Sequence, residues 1–199
     1  MLDWLPDFLD GLFNMLSDSN RGIRQSADSA IAIFLEEIKK SPFVEFGPMV
    51  GILVNQCHSL VRLNRFTAIV WVKEFIKLGS QRLLLFYPEL LGSVMDCISD
   101  DDLEIGQFAG QTHADLLDLV EKTKDDIELT PILQTLTAGL RCNHIPTRMA
   151  ALQWISMLLD KVASKMAKFI PELLPSLLCT LSDEADEVVL ANLEVRLIA

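Results

Sequence analysis

The side chains that could support catalysis or bind a metal are scattered along this sequence. The three histidines, His58, His113 and His144, are far apart, and none is followed by a glutamate, which excludes the adjacent His-Glu ligands of a metal-binding helix. Patterns for a Ser-His-Asp triad, a P-loop or a dinucleotide-binding glycine loop are also missing. We therefore predict that the chain is not an enzyme and holds no metal or other cofactor.

One acidic cluster, Asp100-Asp101-Asp102 with Glu104, resembles a calcium loop only superficially. It lacks the alternating ligands, the central glycine and the twelfth-position glutamate of an EF-hand. A capped and solvated turn between two helices is the better interpretation.

The four cysteines form no CxxC pair. We interpret Cys57, Cys97, Cys142 and Cys179 as small apolar core residues, and not as disulfide partners or metal ligands. The sequence also shows no signal peptide and no N-x-S/T sequon, which favours a reducing, cytosolic compartment.

The chain has 199 residues and a net charge of −11, which argues against nucleic acid as a partner because such binding depends on lysine and arginine. A protein partner with basic patches is favoured instead. The longest uncharged run, 46–61, is too short and too polar to span a bilayer, so we expect no transmembrane insertion.

The helices that must position these residues recur with a fixed period. Repeats starting at 6, 47, 88, 130 and 171 are separated by 41 or 42 residues, and a proline sits at each start or one residue later: Pro6, Pro48, Pro88, Pro131, Pro171. Proline suits the first turn of a helix, where its fixed φ fits and its missing N–H costs nothing. Two helices per period of about 40 residues indicate a HEAT or armadillo solenoid. We predict an all-α fold, a right-handed α-solenoid of about five HEAT-like hairpins.

Each repeat has the same apolar and small positions. The residues three, six and ten after each start are apolar throughout: Leu9, Leu12, Leu16; Val50, Leu53, Cys57; Leu91, Val94, Ile98; Leu133, Leu136, Leu140; Leu174, Leu177, Leu181. Twenty-one residues after the starts come Ala27, Ala68, Ala109 and Ala151, and then Asn192. A small side chain at this position lets two helices approach closely.

We treat residues 1–199 as a single HEAT-repeat segment with repeats at about 5–40, 46–78, 87–122, 129–165 and 169–199. Because no polar capping repeat is visible at either end, we expect the segment to be part of a longer solenoid. The apolar interfaces at Leu2–Leu16 and Leu190–Ile198 would then be open, which predicts self-association of the isolated segment.

Polar positions near the turns are similar to those of HEAT repeats, which carry an aspartate in the turn and an arginine six residues later. Asp18 and Arg24 have this spacing in the first repeat. The other repeats have only one of the two residues. The third and fifth have the aspartate, Asp100 and Asp183, and the second and fourth have the arginine, Arg65 and Arg148. These six residues are candidates for an inter-repeat ladder. The alternative is that they are helix caps and solvated arginines, whose exposed ion pairs contribute only ~0–1 kcal/mol.

A candidate partner-binding surface lies on the second helices, on the face opposite the alanines. Where the first and third repeats have polar or small residues, the second has Phe66, Val70, Lys73 and Lys77, and the fourth has Met149. The apolar groups would anchor a partner segment while the lysines meet its acidic groups. The alternative is that Phe66 and Val70 pack against adjacent second helices.

Several strings resemble the middle HEAT region of the ArPIKfyve family of scaffolds: LPDFLDGLFNML (5–16), FLEEIKKSP (34–42), WVKEFI (71–76), TRMAALQWI (147–155) and TLSDEADEVVLANLEV (180–195). The similarity covers nearly the whole chain and is strongest in the last fifty residues. The long insertion of animal members before the fourth repeat is absent, since only 122–128 intervenes.

The resemblance implies a non-catalytic scaffold that brings the kinase PIKfyve, which makes phosphatidylinositol 3,5-bisphosphate from phosphatidylinositol 3-phosphate, together with an opposing Sac-type phosphatase. It implies a cytoplasmic protein held peripherally on endosomal and vacuolar membranes by that complex. A generic HEAT adaptor that binds a linear peptide in its concave groove is the alternative, and a metal-dependent HEAT enzyme is a third.

Overall fold

The computed structural model describes residues 4–41, 44–124 and 127–195, and this part of the chain is helical, without a strand. The all-α prediction is confirmed. The α-helices are α1 (Leu5–Met15), α2 (Arg21–Lys40), α3 (Gly47–Cys57), α4 (Arg62–Gly79), α5 (Tyr87–Ile98), α6 (Leu103–Lys122), α7 (Leu129–Leu140), α8 (Ile145–Met166), α9 (Ile170–Thr180) and α10 (Asp186–Glu194). Two 3-10 segments, Ser80–Phe86 and Ala167–Phe169, precede α5 and α9.

The chain divides into two compact units, Met1–Asp115 and Leu116–Ala199, with the boundary inside α6. In the first unit α1 packs on α2 and α3 packs on α4, and the first helices α1, α3 and α5 are neighbours. In the second unit α7 packs on α8 and α9 packs on α10, while α7 contacts α9 and α8 contacts α10. Within each unit, helical hairpins therefore stack side by side.

The repeated prolines lie where the sequence predicts, in the first turn of a helix. Pro6, Pro48, Pro88 and Pro171 occupy the first or second position of α1, α3, α5 and α9. In α7 the proline is Pro131, two residues after the helix begins at Leu129. The unused N–H groups of a first helical turn make this position favourable for proline.

The alanine position is buried in every repeat that has it. Ala27, Ala68, Ala109 and Ala151 are each no more than 2% exposed, as expected where a small side chain lies between two helices. Asn192 takes this position in the fifth hairpin and is also buried. Its amide donates to the main-chain oxygen of Leu177 at 2.6 Å and to Oγ1 of Thr180 at 2.9 Å, which satisfies the buried polar group.

The fifth hairpin departs from the predicted apolar positions. Leu174 and Leu181 are exposed, so their assignment to the core is wrong. The buried side of α9 is formed instead by Leu173, Ser176, Leu177 and Thr180. Asn192 explains this orientation, because a buried amide needs polar partners and α9 provides them from the side that carries Thr180.

The cysteine interpretation holds for two of the four residues. Cys57 and Cys97 are buried, with Sγ of Cys97 donating to the main-chain oxygen of Cys57 at 3.8 Å. Cys142 is half-buried and Cys179 is exposed, so Cys179 is not a core residue. All four thiols are free.

None of the helices in the described ranges is long and apolar enough to cross a membrane.

Candidate interaction surface

Arg65 on α4 joins the turns of two successive hairpins. Its Nε lies 2.6 Å from Oδ2 of Asp100, and its Nη2 donates to Oδ1 of the same carboxylate at 3.0 Å. Its Nη1 donates to the main-chain oxygen of Ser59, in its own turn, at 2.9 Å. Asp100 also accepts from the amide of Asp102 at 2.9 Å. One arginine therefore fixes the turn before α4 to the turn before α6.

Arg148 on α8 repeats this arrangement in the second unit. Its Nε lies 2.7 Å from Oδ2 of Asp183, and its Nη2 donates to Oδ1 at 2.8 Å. Its Nη1 donates to the main-chain oxygen of Cys142 at 2.8 Å. Asp183 accepts from the amide of Ala185 at 3.0 Å. Asp183 therefore orders the turn and the ion pair and does not cap α10 itself, whose N-cap residue is Ala185.

Asp18 and Arg24 are adjacent without forming a side-chain ion pair in the described part of the chain. Nη1 of Arg24 donates to the main-chain oxygens of Asp18 and Ser19, at 2.6 and 2.9 Å. The Asp18 carboxylate accepts from the amide of Asn20 at 2.7 Å. The residue 35 positions after Arg24 is Ser59, which carries no charge. The guanidinium of Arg24 therefore binds main-chain carbonyl groups of its own turn.

Burial and hydrogen bonding act in opposite directions on the aspartates of the two ion pairs. The side chains of Arg65 and Asp100 are 21% and 7% exposed. Burial by itself would raise the pKa of Asp100, but hydrogen bonds from Arg65 and the Asp102 amide hold that pKa below its ordinary value. The pKa of Asp183 is also lowered: burial opposes the shift, and bonds from the Ala185 amide and Arg148 outweigh it. Both carboxylates are thus held in the charged form.

Phe66 lies half-buried on α4 and packs against the next second helix. Its ring forms an edge-to-face contact with Phe108 on α6, with centroids 5.9 Å apart. The guanidinium of Arg62 lies 5.7 Å from the centroid of the Phe66 ring. This contact is the packing arrangement that the sequence offered as the alternative to partner binding.

Lys73 also contacts α6. Its Nζ lies 4.8 Å from the centroid of the Phe108 ring, donates to Oε1 of Gln111 at 3.0 Å and is 3.6 Å from Asp115. Its side chain is only 12% exposed. Lys77 is half exposed and pairs with Glu74 on its own helix, and Val70 is half-buried. The role of these residues in partner binding stays a prediction.

Met149 is half-buried on α8, in the second unit. The same face of α8 continues into a cavity of about 550 Å³ between the C-terminal end of α6, α8 and α10, which we call the acidic groove. Apolar side chains form part of its lining, and three carboxylates lie around them. The lining residues are Leu117, Glu121, Leu152, Gln153, Ser156, Met157, Asp160, Lys161, Ala191 and Glu194.

Positive charge in the described chain balances the carboxylates of the acidic groove only in part. Glu121, Asp160 and Glu194 are exposed, and none of them forms an ion pair with a described residue. Lys161 is the cation of the lining. Its ammonium donates hydrogen bonds to the main-chain oxygens of Glu121 and Thr123, both at 2.6 Å. The groove therefore presents negative charge beside an apolar surface.

Sequence reasoning missed two residues of the first unit, Arg62 and Phe108. The guanidinium of Arg62 binds the carboxylates of Asp102 and Glu104. With Arg65 bound to Asp100, three of the four acidic side chains form ion pairs with arginines, while Asp101 and Glu104 stay exposed, as a solvated turn requires. Its capping is confirmed, since Asp102 accepts from two amides at the start of α6. The spacing of about one repeat between the basic and acidic residues could have revealed this pairing.

Among the described residues, no cluster of three His, Cys, Asp or Glu side chains could hold a metal ion.

The first and last hairpins expose large apolar side chains, including Trp4 and Phe8 on one and Leu190 and Leu193 on the other. Leu2 and Ile198, the outer limits of the predicted open interfaces, lie outside the described residues.

Comparison with known proteins finds relatives along nearly the whole chain, although no model of a protein family matches. The chain is 45% identical over 196 residues to the "Protein VAC14 homolog" of Arabidopsis thaliana, covering 98% of this chain and 26% of that protein. It is 24% identical over 262 aligned positions to the Schizosaccharomyces pombe protein of the same name, covering 98% of this chain and 32% of that protein. The "Vacuole morphology and inheritance protein 14" of Saccharomyces cerevisiae is 23% identical over 145 residues, which cover 70% of this chain and 16% of that protein. The chain thus spans between a sixth and a third of the length of these relatives.

Proposed function

Because the chain is homologous to the VAC14 proteins over nearly its whole length, we propose that it is a non-catalytic scaffold segment of a phosphoinositide kinase complex. In this proposal it organises a phosphatidylinositol 3-phosphate 5-kinase and an opposing Sac-type phosphatase, and so supports the synthesis of phosphatidylinositol 3,5-bisphosphate. The observation that carries the proposal is the 45% identity to the Arabidopsis thaliana relative across 98% of the chain.

The way in which the hairpins are joined supports a scaffold role. A scaffold must hold its binding surfaces at fixed positions, and stacked hairpins do so when each contact between neighbours has one geometry. Arg65 with Asp100 and Arg148 with Asp183 supply such a contact, and both pairs are largely buried. We propose that these pairs form rungs of the inter-repeat ladder, and that Arg24 and Asp18 order the first turn.

We further propose that residues 1–199 form one HEAT-repeat segment with the five repeats given above. The recurrence of an arginine and an aspartate 35 residues apart in both units supports this division. A peripheral location on endosomal or vacuolar membranes, reached through the complex, is part of the same proposal. It agrees with the name of the Saccharomyces cerevisiae relative, which refers to vacuole morphology.

Self-association of the chain remains a prediction. The exposed side chains of Trp4 and Phe8, and of Leu190 and Leu193, support it, because contiguous apolar surface favours contact with another protein chain.

The proposal is tested by affinity purification of the full-length protein that contains this chain. The lipid kinase and the Sac-type phosphatase are expected to co-purify. As a matched control, this segment is replaced by the corresponding segment of the Arabidopsis thaliana relative, which should retain both enzymes. Replacement by an unrelated helical-repeat segment of equal length should lose at least one of them.

The alternative function, a generic adaptor that binds a linear peptide, gives a different result in the same experiment. The protein would then recover diverse proteins that share a short motif, without enrichment of a lipid kinase or a phosphatase. Retention of both enzymes by the unrelated helical segment would show that this segment does not organise the complex.

A further inference from the structure

Two junctions between hairpins have the same design, one in each unit. Arg65 binds Asp100 between the second and third hairpins, and Arg148 binds Asp183 between the fourth and fifth. The members of the second pair follow those of the first by 83 residues. A residue of the first junction can therefore be compared with the residue 83 positions later.

In the first junction the chain fills the space between second helices with its own side chains. Lys73 extends from α4 to α6, where its ammonium lies 4.8 Å from the ring centroid of Phe108 and 3.0 Å from Oε1 of Gln111. Asp115 lies 3.6 Å from the same ammonium. An aromatic ring, an amide and a carboxylate thus form a site for a cation, and the ammonium of Lys73 occupies it.

In the second junction the counterparts of these residues have different chemistry. Lys73 corresponds to Ser156 and Phe108 to Ala191, so the cation and the ring are both replaced by small side chains. Lys77 corresponds to Asp160 and Gln111 to Glu194, so two positions become acidic. All four counterparts line the acidic groove. The groove occupies the place where the first junction holds a lysine and a phenylalanine.

We propose that the acidic groove binds a segment of a protein partner that carries a lysine or arginine next to an apolar side chain. The partner's cation meets Glu194, which stands at the position of the Lys73 ligand Gln111, and also the neighbouring Asp160, while the apolar side chain takes the place of the Phe108 ring. Charge complementarity supports this occupant, since three carboxylates and the one ammonium of Lys161 give the lining a net charge of −2, and Lys161 is held by main-chain oxygens and forms no ion pair with these acids.

The apolar part of the lining explains why a bare cation does not suffice. Leu152 and Met157 are already buried, but Leu117 on α6 and Ala191 on α10 are only half-buried, so an occupant that covers them gains more than one that supplies charge alone. The net charge of −11 also attracts a basic segment over a distance. The inference rests on the proposed scaffold function and names the chemistry of one of its partners.

The test uses the full-length protein that contains this chain and a fluorescent probe peptide with three copies of Lys-Leu-Ala-Ala. Fluorescence anisotropy should show binding that weakens with added salt. Two comparison peptides, one with glutamate for lysine and one with serine for leucine, should each bind at least about tenfold more weakly.

Two variants locate the binding. Ser156→Lys supplies the chain's own cation at the position equivalent to Lys73 and should weaken probe binding about tenfold. The double variant Asp160→Asn with Glu194→Gln should weaken it by a similar factor. The control is Asp28→Asn with Glu45→Gln, which changes the net charge equally at exposed acids of the first unit and should leave binding unchanged.

The proposal is overturned if the wild-type protein does not bind the lysine-leucine probe, or if the control variant weakens binding as much as the groove variant. It is also overturned if Ser156→Lys changes the oligomeric state and not probe binding, since the occupant would then be a second copy. Co-purification of both enzymes with the groove variants would leave the scaffold function standing, so the two failures are distinguishable.

Discussion

Arg65 and Asp100, 35 residues apart in sequence, form a two-point ion pair in which Nε and Nη2 of the arginine contact both carboxylate oxygens. The third nitrogen of the same guanidinium binds the turn that precedes α4. One side chain therefore connects two turns of successive hairpins, and Arg148 with Asp183 forms the same connection in the second unit.

Removing one member of such a pair should be costly. Asp183→Asn or Arg65→Met leaves a largely buried charge without its partner, and we expect a loss of about 3 kcal/mol in the free energy of unfolding. Urea denaturation measures this loss. The control is Lys40→Gln, which removes an exposed pair with Glu37 and should cost less than about 1 kcal/mol. Equal small losses for all three variants would show that the buried pairs do not fix the hairpins.

Stability should fall in acid through the same aspartates. The folded-state pKa values of Asp100 and Asp183 lie below their ordinary values, so their stabilising contribution is complete above the unfolded pKa of about 3.9. The contribution is lost as the pH falls below that value, toward the folded pKa. Urea denaturation between pH 6 and pH 3 should therefore show a steeper loss for the wild type than for Asp100→Asn with Asp183→Asn. Parallel curves would contradict the assignment of these carboxylates.

The alanine positions should tolerate no larger side chain. Ala68 and Ala151 are fully buried where two helices approach, so Ala68→Leu or Ala151→Leu should overpack the contact and cost about 1–3 kcal/mol. Gln153 is exposed on the same helix as Ala151, and Gln153→Leu serves as the matched control with little expected effect. Thermal melts that rank the Gln153 variant as the more damaging would show that the repeat register is wrong.

Substitution of Phe66 distinguishes the two roles of the second-helix surface, packing against α6 and binding of a partner. Because its ring contacts Phe108, we expect Phe66→Ala to lower the free energy of unfolding by about 1–2 kcal/mol. If Phe66 and Val70 anchor a partner instead, Phe66→Ala with Val70→Ser should weaken complex assembly by ~2 kcal/mol or more while the melting temperature stays nearly unchanged. Measuring both quantities on each variant decides between them. An unchanged melting temperature with weaker assembly would contradict the packing role.

The fold was largely predictable because its signals are local and recur. Proline in a first helical turn, an apolar face and a buried alanine each depend on the geometry of one helix, so Pro6, Pro48 or Ala68 could be assigned from spacing. The fifth hairpin was assigned less well. Leu174 and Leu181 fit the apolar pattern, but the hydrogen bonds of Asn192 determine which side of α9 is buried.

The interaction surface was less predictable because it depends on pairs from different hairpins. The contacts of Lys73 with Phe108 and Gln111, for example, come from a helix 35 or more residues away, so the spacing within one repeat does not reveal them. The acidic groove is recognised by comparing two equivalent junctions. The sequence shows that Asp160 replaces Lys77, but only the structure shows that Asp160 lines a cavity between α6, α8 and α10.

The most direct test of the scaffold account measures lipid product. The full-length protein that contains this chain is added to the purified 5-kinase with phosphatidylinositol 3-phosphate in vesicles, and phosphatidylinositol 3,5-bisphosphate is quantified. If the chain belongs to a scaffold, we expect no product from the scaffold protein alone and more product when it is combined with the kinase than from the kinase by itself. Product formed by the scaffold protein alone, or no increase and no binding when the two are combined, would contradict it.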